Sequence, residues 1–261
     1  MRDLEVQLSN SGDIIIGTDI NKIVSSPIPT SLQLLKQNKV VDPLTVCHHR
    51  GNIYVGLESG KVVKIDADDN VTPLIVCSMK VLAIRAKDNS LFVLQNGSPY
   101  TVCVYNLCGQ LDTSWNHTDF HDRCNHGSKL VLRNDQVVIA DRKNQQIVIY
   151  SERGNVEKQI PCSNIISEKW STMCEAGQNH IILTNYHQSK VFKLNLISGK
   201  VEWTCTEIRG PQGLACYGRD YVIVYNYTGA ERIWILNQNT GKSFDKLMVF
   251  LFCGAGYKSQ S

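Results

Sequence analysis

The chain has 261 residues, 43% of them hydrophobic and 20% charged, with a formal net charge of +3. That length suits one large all-β domain or two smaller ones, and the near balance of charge argues against a domain built round a clustered basic face for nucleic acid. The first twenty residues hold no apolar stretch of signal-peptide length, and the longest apolar run, LMVFLFC at 247–253, is far too short for a spanning helix, so the expected setting is cytoplasmic, with no membrane contact.

Taken in chain order, six similar units follow one another. They are DIIIGTDINKIVSS from Asp13, NIYVGLESGKVVKIDADDN from Asn52, SLFVLQNGSPYTVCVYNLCGQ from Ser90, QVVIADRKNQQIVIYSERGN from Gln136, HIILTNYHQSKVFKLNLISGK from His180 and YVIVYNYTGAERIWILNQNTGK from Tyr221. Each of the last five is preceded by an apolar segment (PLTVCH, KVLAIRA, SKLVLR, STMCEA, QGLACY) and followed by another strand-like one (VTPLIVC, QLDTSWN, VEKQIP, VEWTCT, SFDKLMVFLF). Short runs rich in Val, Ile, Tyr and Phe, bounded by Gly, Asn and Asp, predict strands and tight turns. One short helix is predicted, over SLQLLKQN at 31–38.

The unit starts are spaced by 39, 38, 46, 44 and 41 residues, the period of a four-stranded propeller blade. A four-stranded sheet has two apolar faces and cannot bury both alone; stacking neighbours round an axis does so. Six units in 261 residues give about 43 each, so the expected fold is an all-β, six-bladed propeller with four-stranded antiparallel blades. Residues 1–42 are read as a divergent first blade and closure region, residues 43–261 as the remaining blades, and the whole chain as one propeller domain.

The Gly-His and Trp-Asp pairs of WD40 repeats and the paired glycines of kelch repeats do not recur at this interval. The fourth unit instead resembles an NHL repeat: Ala140 and Asp141 end one strand, a polar turn follows through Arg142 to Gln146, then IVIYS and the turn glycine Gly154. Pro211, Gly213, Leu214 and Ala215 match the Pro-x-Gly-apolar-Ala element of that family. At the aspartate position the other units carry Leu57, Asn96, Asn185 and Asn226. The chain is thus similar to the degenerate NHL-like propellers of tripartite-motif proteins. The resemblance implies a non-enzymatic platform that recruits a protein partner, as the substrate-recognition part of a ubiquitin-ligase-type protein. No C-x-x-C pair occurs, so the zinc signature of a RING or B-box is missing from this chain. RNA binding is the alternative implied by the same family. Metal-dependent hydrolysis is the alternative implied by other six-bladed propellers.

Partner contacts are expected at rim turns: Arg142 and Lys143 at the exposed tip of the fourth unit, Tyr186 and His187 in the fifth, Tyr227 in the sixth, and Arg209 just before it. Glu58 opposes a continuous basic field there. WNHTDFHDRCNHG at 115–127 gathers His117, His121, Cys124 and His126, donors that suit zinc. Its setting between blades predicts a polar loop instead, and no metal, cofactor or small-molecule substrate is expected. A calcium cage would need six or more oxygens, where the predicted inner segments offer Glu175, Asn134 and Asp135 at non-matching offsets. The ten cysteines are read as thiols, several packed inside apolar runs as small hydrophobes.

Overall fold

A computed structural model describes residues 13–16, 36–97, 99–117, 130–142, 144–166, 172–217, 219–226 and 233–247. Five four-stranded antiparallel sheets follow one another, each with its strands in sequence order. Blade I comprises β3 (Pro43–His49), β4 (Asn52–Leu57), β5 (Lys61–Ile65) and β6 (Val71–Val76). Blade II comprises β7 (Val81–Lys87), β8 (Ser90–Gln95), β9 (Tyr100–Asn106) and β10 (Leu111–His117). Blade III comprises β11 (Leu130–Arg133), β12 (Gln136–Asp141), β13 (Gln146–Ser151) and β14 (Val156–Pro161). Blade IV comprises β15 (Met173–Glu175), β16 (His180–Asn185), β17 (Lys190–Asn195) and β18 (Val201–Cys205). Blade V comprises β19 (Pro211–Tyr217), β20 (Tyr221–Asn226), β21 (Ile233–Asn237) and β22 (Ser243–Leu247).

The count of six blades is therefore corrected to five. The unit starting at Asp13 forms β1 (Asp13–Ile16), which pairs antiparallel with β2 (Lys36–Lys39) in a two-stranded sheet. Its DIII run has the pattern of a second blade strand, but among the described residues it pairs with KQNK alone, and two strands do not make a blade. The helix predicted over 31–38 is corrected at its end, since residues 36–38 are strand.

Burial follows strand position. The two middle strands of a blade face apolar neighbours on both sides, so they read as nearly continuous apolar runs: β8 and β12 are both buried at five of six positions. The fourth strands lie outermost and keep most side chains in water, as in β14. First strands meet in order, β3 against β7, β7 against β11, β11 against β15 and β15 against β19. Apolar cores fill the junctions between blades: Tyr54 and Ile75 against Leu91 and Val93, Phe92 and Val102 against Ile139 and Tyr150, Ile147 and Ile160 against Phe192 and Leu194, and Ile182 and Trp203 against Val224 and Trp234.

The glycines that close the third-to-fourth-strand turns serve a second purpose. Gly154 has φ +85°, which favours glycine, and a Cβ there would sit 2.4 Å from Cγ of Trp115 on the outer strand of the preceding blade. Gly241, with φ +69°, is filled in the same way by Trp203. The outer strand of one blade thus lies on the turn of the next.

Candidate functional site

The turns joining second and third strands lie at the same end of the blades as the connectors between blades. Backbone bonds tie them together, Cys77 N–H to Gly60 C=O (2.8 Å), Asn96 N–H to Lys80 C=O (2.9 Å) and Cys162 N–H to Gln145 C=O (2.7 Å). This is the rim on which partner residues were expected. Arg142, expected at an exposed tip, is only 2% exposed. Its neighbour Asp141 is fully buried and organises the turn by accepting bonds from Asn144 N–H (3.0 Å), Asn144 Nδ2 (2.7 Å) and Gln146 Nε2 (3.0 Å). Asn185 does the same in blade IV, accepting from Gln188 N–H at 3.0 Å. Strand pairing shows that the matching residue in blade II is Gln95, not Asn96.

Tyr186 is half-buried with its ring edge-on to exposed His187, centroids 5.6 Å apart, and Arg209 is exposed. Lys143 and Tyr227 lie outside the described residues. Exposed Glu58 pairs with Lys80. Tyr186 and His187 lie on the turn between β16 and β17, and Arg209 on the connector beside it, where Gly210 N–H donates to Ser189 Oγ (3.3 Å).

The metal-like cluster is described only at His117. That ring is fully buried at the end of β10, with Nδ1 2.6 Å from the hydroxyl of Tyr150 in blade III. His121, Cys124 and His126 lie outside the described residues. Among the described residues no group of three or more His, Cys, Asp or Glu side chains is arranged to hold a metal ion.

The rim instead holds a cavity of ≈ 500 Å³ between blades I and II. Its walls are Val76 at the end of β6, the connector Cys77–Met79, and Gln95, Gly97, Pro99 and Thr101; Cys103 and Tyr105 close the floor. Two apolar wall residues stand in water: Val76 is 76% exposed and Met79 50%. Beneath them the polar groups are buried and mutually bonded, with Gln95 Nε2 donating to Cys103 Sγ (3.0 Å) and reaching the Tyr105 hydroxyl at 3.5 Å. Burial pushes the Cys77 thiol up to about 11, raises Cys103, and holds the Tyr105 phenol well above its ordinary range. All three stay protonated at neutral pH, so the cavity floor is polar but uncharged.

The opposite end of the blades carries basic side chains that grip the next blade. His49 Nε2 lies 2.8 Å from the Asp88 carbonyl oxygen, and Arg50 donates to Asn89 Oδ1 at 2.7 Å. Lys87 donates to the Asn134 carbonyl and pairs with Asp135 (2.7 Å) and Glu152 (2.8 Å). Burial alone would lower the Lys87 ammonium, but these carboxylates outweigh it and its pKa is raised. Arg133 donates to the Gln178 carbonyl and the Asn179 side chain. Of the side chains considered for a calcium cage, the Asp135 carboxylate is thus held by Lys87 in a hairpin turn, beside the Asn134 backbone carbonyl.

The cavity residues had a faint sequence signal, two apolar residues inside the connector VCSMK, where polar turn residues are the rule.

These features define a β-propeller with four-stranded blades. No family model matches the chain. A curated relative, an uncharacterised protein of Rickettsia prowazekii (strain Madrid E), is 21% identical over 212 residues, 76% of this chain and 49% of the relative. The chain therefore spans about half the length of the curated relative it matches. A protein of unknown function from Bacteroides caccae aligns with TM-score 0.68 and 12% identity over 94% of this chain and 93% of that one. The WD40 propeller domain of Doa1 aligns with TM-score 0.60 and 12% identity over 78% of this chain and 67% of that one. At these identities the likeness is one of fold. It supports the propeller and gives no support to an NHL or tripartite-motif affiliation.

Proposed function

We propose that the chain is a non-catalytic protein-interaction module that seats a neutral, largely apolar side chain of a partner in the rim cavity between blades I and II. The observation that carries this reading is the cavity itself: ≈ 500 Å³, with Val76 and Met79 exposed at its lip and an uncharged, hydrogen-bonded floor. Exposed apolar residues beside a concave site mark a contact surface, and a flexible methionine adapts to the side chain it meets. A charged anchor would be left without a counter-charge on this floor. Rigid blades hold the two loops in register, the usual arrangement for binding loops on a scaffold.

The test is site-specific crosslinking from the full chain. A photoreactive phenylalanine analogue replaces Met79 in one variant and the exposed Leu111 of the outer strand β10 in another. A protein adduct formed from position 79, absent from position 111 and abolished by Thr101→Arg, is the expected result. Adducts that form equally at both positions, or that vanish on nuclease treatment, overturn it, the latter in favour of RNA.

A further inference from the structure

One pair of thiols spans a junction between blades. Cys174 on β15 of blade IV and Cys216 on β19 of blade V bring their Sγ atoms to 3.3 Å. Cys174 is 2% exposed, whereas Cys216 is half-buried and borders the IV–V core. The same two strand positions hold Cys47 facing Ala86 at the I–II junction, Arg85 and Leu132 at II–III, and Val131 and Glu175 at III–IV. Among these four junctions only the last places two sulfurs opposite each other.

The separation discriminates between uses. Two thiolates on one tetrahedral zinc, each about 2.3 Å from the metal, stand roughly 3.7 Å apart and need further ligands. Here the sulfurs are closer than that, and no third metal donor completes a set among the described residues. A disulfide requires about 2.05 Å, so the sulfurs must close by a little over an ångström, within reach of small χ1 rotations. The strands carrying them already pack against each other, so no blade need move.

We infer that Cys174 and Cys216 are a reversible inter-blade dithiol–disulfide pair that exchanges with a low-molecular-weight disulfide such as glutathione disulfide. In the first step the half-exposed Cys216 loses its proton and attacks one sulfur of the oxidant, forming a mixed disulfide and releasing one glutathione thiolate, which takes up that proton. Cys174 then loses its proton and attacks the Cys216 sulfur, forming the protein disulfide and releasing the second glutathione. Two electrons and two protons pass from the protein thiols to the oxidant, and excess glutathione reverses both steps. The bond to the Cys216 sulfur and burial hold the Cys174 thiol protonated, nearby Glu175 adds to this, and Arg85 opposes it. Its greater exposure makes Cys216 the entry point. Closed, the bridge would tie blade V to blade IV and restrict the unfolded chain across a sequence separation of 42.

The full chain, natively folded, is equilibrated in glutathione buffers of graded ratio and then analysed by intact mass and peptide mapping after thiol blocking. The expected result is a species lighter by the mass of two hydrogens, formed in the more oxidising buffers of the series, with the peptides bearing Cys174 and Cys216 joined. Its Tm rises by roughly 10 °C, and the change is lost in Cys216→Ala and Cys174→Ala. The mapping on the unaltered chain decides the matter even if a variant fails to fold. A chain that stays fully reduced across the series overturns the inference. So does a bridge joining other cysteines, or a glutathione adduct on Cys216 that never resolves. Tightly bound zinc or copper, lost on replacing either cysteine, overturns it in favour of a metal site.

Discussion

The first three junctions and the last are held by different chemistry. From blade I to blade IV, a basic side chain at the end of each inner strand reaches across to the next blade's hairpin: His49, Lys87 and Arg133. Strand pairing puts Ala176 at this position in blade IV, and it is 3% exposed. Blade V is held through the junction instead. Thr172 donates to the Gln212 carbonyl (2.7 Å), the sulfurs of Cys174 and Cys216 touch, and Trp203 Nε1 donates to the Gln238 carbonyl (3.0 Å). Polar clasps at the surface are adjustable and sensitive to salt; buried contacts depend on shape. The last blade is therefore fixed by fit, the earlier ones by fit plus charge.

The comparison can be broken most forcefully at Trp203. It is 9% exposed, fills the space over Gly241 and carries the bond to Gln238. Trp203→Ala should cost about 3–5 kcal/mol, with hydrogen exchange rising first in blade V. At the II–III junction, Gly154→Ala places a methyl group inside Trp115 at a left-handed φ. The expected loss is about 3 kcal/mol, read from denaturant midpoints.

Alkali should strike both kinds of junction alike. Burial pushes Tyr150 up to about 12, with the Asp141 charge adding to it, pushes Cys77 up to about 11, and raises Cys205. An acid held protonated by the fold ionises first in the unfolded chain. Stability is therefore full below about pH 9, falls as the pH climbs past the unfolded values and levels off above the folded ones. Unfolding midpoints measured from pH 7 upward should decline through that window; an unchanged midpoint at pH 11 contradicts the packing described. The smallest effect is expected at a clasp. Lys87→Met should cost about 0.5–1 kcal/mol, and the difference should shrink in high salt.

Much of the blade architecture was legible in the residues. The unit starts read at Asn52, Ser90, Gln136, His180 and Tyr221 are the first residues of β4, β8, β12, β16 and β20. These middle strands are buried on both faces, and burial writes itself into composition. The first unit misled because DIII carries that same composition in a strand paired outside any blade. Arg142 misled because charge in a turn normally means solvent, whereas here it is buried next to a buried carboxylate. The rim cavity left only the faint trace of apolar residues in VCSMK, and the thiol pair left none. Each joins residues of two repeats through a packing distance, and a repeat pattern reports only what recurs within a unit.

The glycine turns carry a consequence for how such a chain can change. Each of these glycines sits in one repeat, and the group that occupies its missing Cβ space sits in the repeat before: the backbone carbonyl of Leu74 for Gly109, and the side chains of Trp115 for Gly154, Ile160 for Gly199 and Trp203 for Gly241. Lock and key are thus inherited separately. A duplicated blade arrives with a glycine cut for its old predecessor and a filler cut for its old successor. Tryptophan and isoleucine are not interchangeable fillers, so blades can be copied freely only where neighbours share the same filler. Across related chains, glycine and filler should change together one repeat apart, and the order of the blades is as much a part of the design as their number.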